Sequence, residues 1–80
     1  MSFRMFLTYT DTQWDGSPNY AWVRREVIDV DRDASQRTIM RKAKAAVGLT
    51  NVRGVTESLG GEYVFRPYGA SVALFVSDEV

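Results

Sequence analysis

Three glycine-marked breaks divide this chain, and the two segments that follow the second break are of strand length. Asp15-Gly16-Ser17-Pro18-Asn19, Gly60-Gly61 and Gly69-Ala70 are turn sequences. Glycine supplies positive φ, proline presets φ near about −65°, and aspartate or asparagine folds its side chain back onto the backbone. Gly60-Gly61 in particular is a two-residue hairpin signal. Val52 to Leu59, Glu62 to Tyr68 and Ser71 to Ser77 flank the last two breaks and read as a meander of three strands. Phe3 to Gln13, rich in aromatic, apolar and threonine residues, reads as a strand before the first break.

The segment after that first break admits two readings. Ser17-Pro18 can serve as the N-cap and first residue of a helix. The alternating, β-branched run Val27-Ile28-Asp29-Val30 instead favours a returning strand over Tyr20 to Val30. A helix then opens at Asp33-Ala34-Ser35-Gln36. Asp33 is placed to cap it and Gln36 to reach back, a variant of the capping box. Ile39, Ala43, Ala46 and Val47 recur at helical spacing with Met40 beside them. Gly48 is placed to end the helix in a left-handed conformation, with Leu49 covering the last turn. The predicted helix is about 14 residues long. The order is β-β-α-β-β-β, an α+β domain in which one helix lies across one face of an antiparallel sheet. Nothing in the sequence orders the strands within that sheet.

Strand alternation then sorts side chains onto faces. A first turn centred on Ser17 sets Trp14 opposite Tyr20, Thr12 opposite Trp22 and Leu7 opposite Val27. On that register Phe3, Met5, Leu7, Tyr9, Val23 and Val27 form the core face. Val52, Thr56, Tyr63, Phe65, Val72, Leu74 and Val76 join them from the meander. The uncovered face carries Phe6, Trp14, Tyr20, Trp22, Arg24, Glu26 and Ile28, with Val64, Tyr68 and Phe75. A slip of one residue would exchange the faces of a strand. Pro67, which has no amide donor, belongs at a strand end or an unpaired edge.

No internal repeat or linker divides the 80 residues, so residues 1–80 are read as one domain. A chain of this size buries only about 60–65% of its unfolded surface, which makes the core small. Without cysteine there is neither disulfide nor thiolate metal site, and the disulfide scaffold of small secreted domains is excluded. Met1-Ser2-Phe3-Arg4 lacks the pattern of a signal peptide, and no apolar stretch approaches the roughly 20 residues of a membrane span. The expected location is cytoplasmic. Ten basic and ten acidic residues cancel, which removes both a general attraction to phosphate and an acidic, DNA-like surface.

Neither histidine nor cysteine is present, so the commonest general base and the best soft nucleophile are missing. No phosphate-binding loop or dinucleotide fingerprint appears. Asp29, Asp31 and Asp33 lack the glycine and terminal glutamate of an EF-hand and suit the start of a helix better. The expectation is a protein that is not an enzyme, with no cofactor and no metal.

An exposed aromatic cluster on a small domain is a contact surface in waiting, because tryptophan and tyrosine are enriched among binding anchors. The predicted partner-binding residues are Trp14, Tyr20, Trp22, Arg24, Glu26 and Tyr68. A secondary basic stripe, Arg37, Arg41 and Lys44, follows one side of the helix, where it contacts phosphates or an acidic partner, or simply faces solvent. Two alternatives accompany the protein-binding reading. Aromatics on an open sheet with Arg24, Arg53 and Arg66 nearby suit single-stranded nucleic acid, and a homodimer would hide the same face.

One resemblance rests on the stretch from Asp33 to Val76. An alanine-rich helix ends in Gly48-Leu49-Thr50 before Val52-Arg53, and the Gly61 turn, Arg66-Pro67-Tyr68-Gly69 and Leu74-Phe75-Val76 follow. In layout this resembles small accessory proteins of bacteriophages and mobile elements, including anti-CRISPR and host-takeover proteins. The resemblance covers about half of the chain and implies a protein that occupies a surface on a host protein complex. It assigns no role to any single residue, and the neutral charge departs from the acidic members that imitate DNA.

Overall fold

The computed structural model describes residues 2–78, apart from the side chains of Ser2, Phe3 and Leu59. The chain runs β1 (Ser2–Thr12), β2 (Pro18–Asp31), α1 (Gln36–Ala46), β3 (Gly54–Leu59), β4 (Glu62–Pro67) and β5 (Val72–Ser77). The two-way reading of the second segment resolves to a strand. All five strands form one antiparallel sheet in the order β2-β1-β5-β4-β3.

Helix α1 covers one face. Ile39, Met40, Ala43 and Val47 bury against Met5, Leu7, Val30, Phe65, Leu74 and Val76. The expected helical stripe and the expected core face of β1, β4 and β5 therefore meet as drawn. Burying each such aliphatic side chain contributes about 1.5–3 kcal/mol. The side chain of Phe3, also expected in this core, lies outside the described residues.

The helix starts later than predicted. Ser35, not Asp33, is the N-cap: its hydroxyl oxygen accepts from the Thr38 amide at 3.2 Å. The helix is thus 11 residues long, because the Asp31–Ala34 turn, closed by Ala34 N–H to Asp31 C=O at 3.0 Å, takes the preceding residues. Its other end matches the prediction. Gly48 has φ +78°, its amide bonds to Ala45 and that of Leu49 to the Lys44 carbonyl at 2.7 Å. This pair of bonds is the Schellman arrangement, with buried Leu49 sealing the last turn.

Two strand details follow from backbone chemistry. Pro67 is the last residue of β4, as its missing donor requires. Opposite it, Gly54 has no room for a side chain: a Cβ there would stand 2.3 Å from the Arg66 carbonyl oxygen.

The register of β2 differs from the expected one by a single residue. Leu7 faces Glu26, not Val27, and Thr12 pairs with Pro18, not Trp22. A bulge between Thr10 and Thr12 of β1 and the facing stretch of β2 absorbs extra residues on the β2 side. One residue of slip exchanges the faces of the whole strand. Ile28 packs against the core, Trp22 lies over Tyr9 on the helix side, and Val23 and Val27 are exposed on the open face. Arg24 and Glu26 move with Trp22, so the uncovered face lacks four of the residues assigned to it. It keeps Phe6, Val64 and Phe75.

Candidate functional site

The candidate site is built where three turns meet at one end of the sheet. There β1 passes into β2, β4 into β5, and the chain enters β3. Thr12 N–H bonds to the Ser71 carbonyl at 2.8 Å, tying the first two turns together. Tyr68 N–H bonds to the Arg53 carbonyl at 3.0 Å, tying in the third. Exposed aromatics crown this end: Trp14 at 96% of its full exposure, Tyr68 at 69%, Tyr20 at 56% and Trp22 at 43%.

The turn that carries Trp14 is held from several sides. Gly16 N–H bonds to Gln13 C=O at 2.9 Å, and Gln13 N–H bonds to Ser17 C=O at 2.8 Å. The Asp15 carboxylate accepts from the Ser17 hydroxyl at 2.7 Å and its amide at 3.0 Å. Those two donors hold its carboxyl below the usual aspartate range. From β4, Arg66 Nη1 donates to the Gly16 carbonyl at 2.7 Å. Gly16 itself sits at φ +87°, with the Arg66 guanidinium close by. Trp14 is therefore displayed on a fixed backbone.

Tyr20 and Trp22 are placed by the bulge, and Asp11 organises it. Its carboxylate accepts from the Asn19 side-chain amide at 2.7 Å and the Ala21 backbone amide at 3.0 Å. Thr10, fully buried, donates its hydroxyl to the Trp22 carbonyl at 2.8 Å and lies 3.2 Å from Asp11 Oδ1. The Asn19 bond lowers the Asp11 pKa most, against an opposing desolvation that is second in size, and the Ala21 amide adds a smaller lowering. Tyr20 consequently adopts φ +59°, a left-handed conformation that costs a non-glycine residue about 1–2 kcal/mol. Strain of this kind tends to sit at functional positions. The Trp22 ring meets the Tyr9 ring edge-on, 5.1 Å between centroids.

The remaining predicted residues do not join this cluster. Arg24 Nε bonds to Glu26 Oε1 at 3.1 Å, and its Nη2 donates to the Ala46 carbonyl at 3.2 Å. Arg24 thus caps the C-terminal end of α1, where a cation is favoured. On the helix, Arg37 and Arg41 are exposed. The Lys44 ammonium bonds to the Val52 carbonyl at 2.7 Å and stands 4.4 Å from the centre of the Phe65 ring.

Sequence reasoning missed Val23, Val27 and Val55, which are exposed on the open face, Val27 directly opposite Phe6 and Val55 out on the edge strand β3. It also missed Asp11 and Thr10. An acceptor just before a turn and an Asn just after it were the visible signal. Among the described residues no group of three or more acidic side chains gathers as a metal site, and no helix is long and apolar enough to cross a membrane. Compared with protein-family models, curated proteins and solved structures, the chain matches none.

Proposed function

We propose that this chain is a non-catalytic protein-binding module whose contact surface is the aromatic rim of Trp14, Tyr20, Trp22 and Tyr68. One observation carries the reading: a tryptophan 96% exposed on a turn locked by Arg66 and Asp15. A large apolar ring held in water on a rigid support costs solvation free energy that a partner can recover without first ordering the loop. In keeping with the resemblance in layout to phage and mobile-element accessory proteins, the partner is proposed to be a host protein complex in the bacterial cytoplasm, and the action its inhibition or modulation, as by an anti-CRISPR protein.

Affinity capture from bacterial lysate tests this, with wild type and a folded Trp14→Ala/Tyr20→Ala variant as baits. Each ring contributes about 1.5–3 kcal/mol when buried, so losing both weakens binding by at least about 100-fold. A protein retained by wild type and lost by the variant supports the rim. Equal recovery on both baits rejects it.

A second reading, self-association, is favoured by the open face. Val27 is 53% exposed there, and a contact between two copies would bury it together with Phe6 and Phe75. Light scattering decides: a dimer that Val27→Arg turns into a monomer supports it, and a monomeric wild type excludes it.

A further inference from the structure

The neutral total charge conceals a separation of charge. A concave surface runs between α1 and the segment from Thr50 to Thr56, and continues to Tyr68. Arg37, Arg41, Lys44 and Arg53 line it, four of the ten basic residues, and among the described residues no acidic side chain does. Arg37, Arg41 and Arg53 are exposed, as is Asn51, which has φ +66°. Lys44 is held in place at the centre by the Val52 carbonyl and the Phe65 ring. Along the helix, Arg37 to Lys44 spans about 10 Å at about 1.5 Å per residue.

We infer that this groove binds a short stretch of single-stranded nucleic acid, with the helix cations on its phosphates and Tyr68 stacked on a base. The chemistry favours this ligand over an acidic peptide. A row of cations satisfies either, but an exposed tyrosine at the end of the row offers a face that every base can use. It also favours a single strand over a duplex, whose bases are already stacked and unavailable to a side chain of this kind. The surface is distinct from the rim of the proposed function except for Tyr68, and it replaces the sheet-face stacking expected from the sequence. There, Trp22 is turned to the helix side and Arg66 is bound to Gly16.

Fluorescence anisotropy with a labelled oligothymidylate of about 12 nucleotides tests the inference, from low salt upward. Three exposed cations, at about 0.7 per neutralised phosphate on a single strand, give a slope of log K against log salt near about −2. Arg37→Glu/Arg41→Glu, with its helix checked by circular dichroism, is expected to weaken binding more than about tenfold and to flatten that slope. Tyr68→Ala is expected to cost about tenfold with the slope unchanged. Trp14→Ala/Tyr20→Ala leaves oligonucleotide binding intact, so the groove and the rim fail or survive separately. The inference is overturned by absence of binding at low salt or by indifference to the double charge reversal. Equal affinity for a polyglutamate peptide of the same charge, or for a duplex of the same length, overturns it too.

Discussion

Asp11 sets the geometry of the rim through Asn19 and Ala21, and its role has a pH signature. The bonds from Asn19 and Ala21 favour the carboxylate, so its pKa is lowered in the folded hairpin. A lowered pKa means the bulge is supported fully above the ordinary aspartate value, about 3.9. That support disappears as pH falls through the lower folded value. The Ala21 amide resonance, followed from pH 6 to pH 2, is expected to move with a midpoint below that of an unperturbed aspartate. A midpoint at or above the ordinary value would contradict the role given to these bonds. Thr10→Val tests the neighbouring contact. It deprives the Trp22 carbonyl of its donor in a buried position and is expected to destabilise the protein by about 1–3 kcal/mol in urea unfolding. Thr10→Ser, which keeps the hydroxyl, should cost less.

At the level of elements, two substitutions check the helix start and the close approach of β3 to β4. Ser35→Ala removes the cap and should cost about 1 kcal/mol, whereas Asp33→Ala should leave stability nearly unchanged. Gly54→Ala drives a methyl group into the Arg66 carbonyl. It should cost at least about 1–3 kcal/mol and selectively strip amide protection from β3 in hydrogen exchange. These elements also show what could be read from the chain. The turns at Gly48 and Gly60-Gly61, the helical stripe from Ile39 to Val47 and the position of Pro67 each follow from one residue's local preference, and local preference is visible in sequence. The helix cap was misplaced by two residues because Asp33 and Ser35 cap equally well in isolation, and the choice belongs to the turn before them. The face of β2 was inverted because its register depends on how many residues a bulge absorbs. That number is set by Asp11 and Thr10 bonding across the hairpin, which no periodicity reports. Exposure of Trp14, Tyr20 and Tyr68 was legible as a surplus of aromatics near turns. Their gathering at one end of the sheet was not, since it depends on the strand order.

The whole molecule is two hairpins joined by a strand that belongs to both. β1 with β2 and β3 with β4 each close over short turns, and β5 lies between β1 and β4. Leu74, fully buried at the middle of β5, packs in the core beneath α1. Leu74→Ala should cost about 2–5 kcal/mol and, because both hairpins rely on it, unfold them in a single transition by tryptophan fluorescence and circular dichroism. Two separate transitions would show that each hairpin has stability of its own. The strand placed third in the sheet is also the last to be synthesised. During translation, at about 5–20 residues per second, the sides of β1 and β4 that will receive it are unpaired main chain, the form of backbone most open to pairing with another polypeptide. The nascent chain is therefore more exposed to aggregation than the finished protein, until β5 leaves the ribosome and closes the gap.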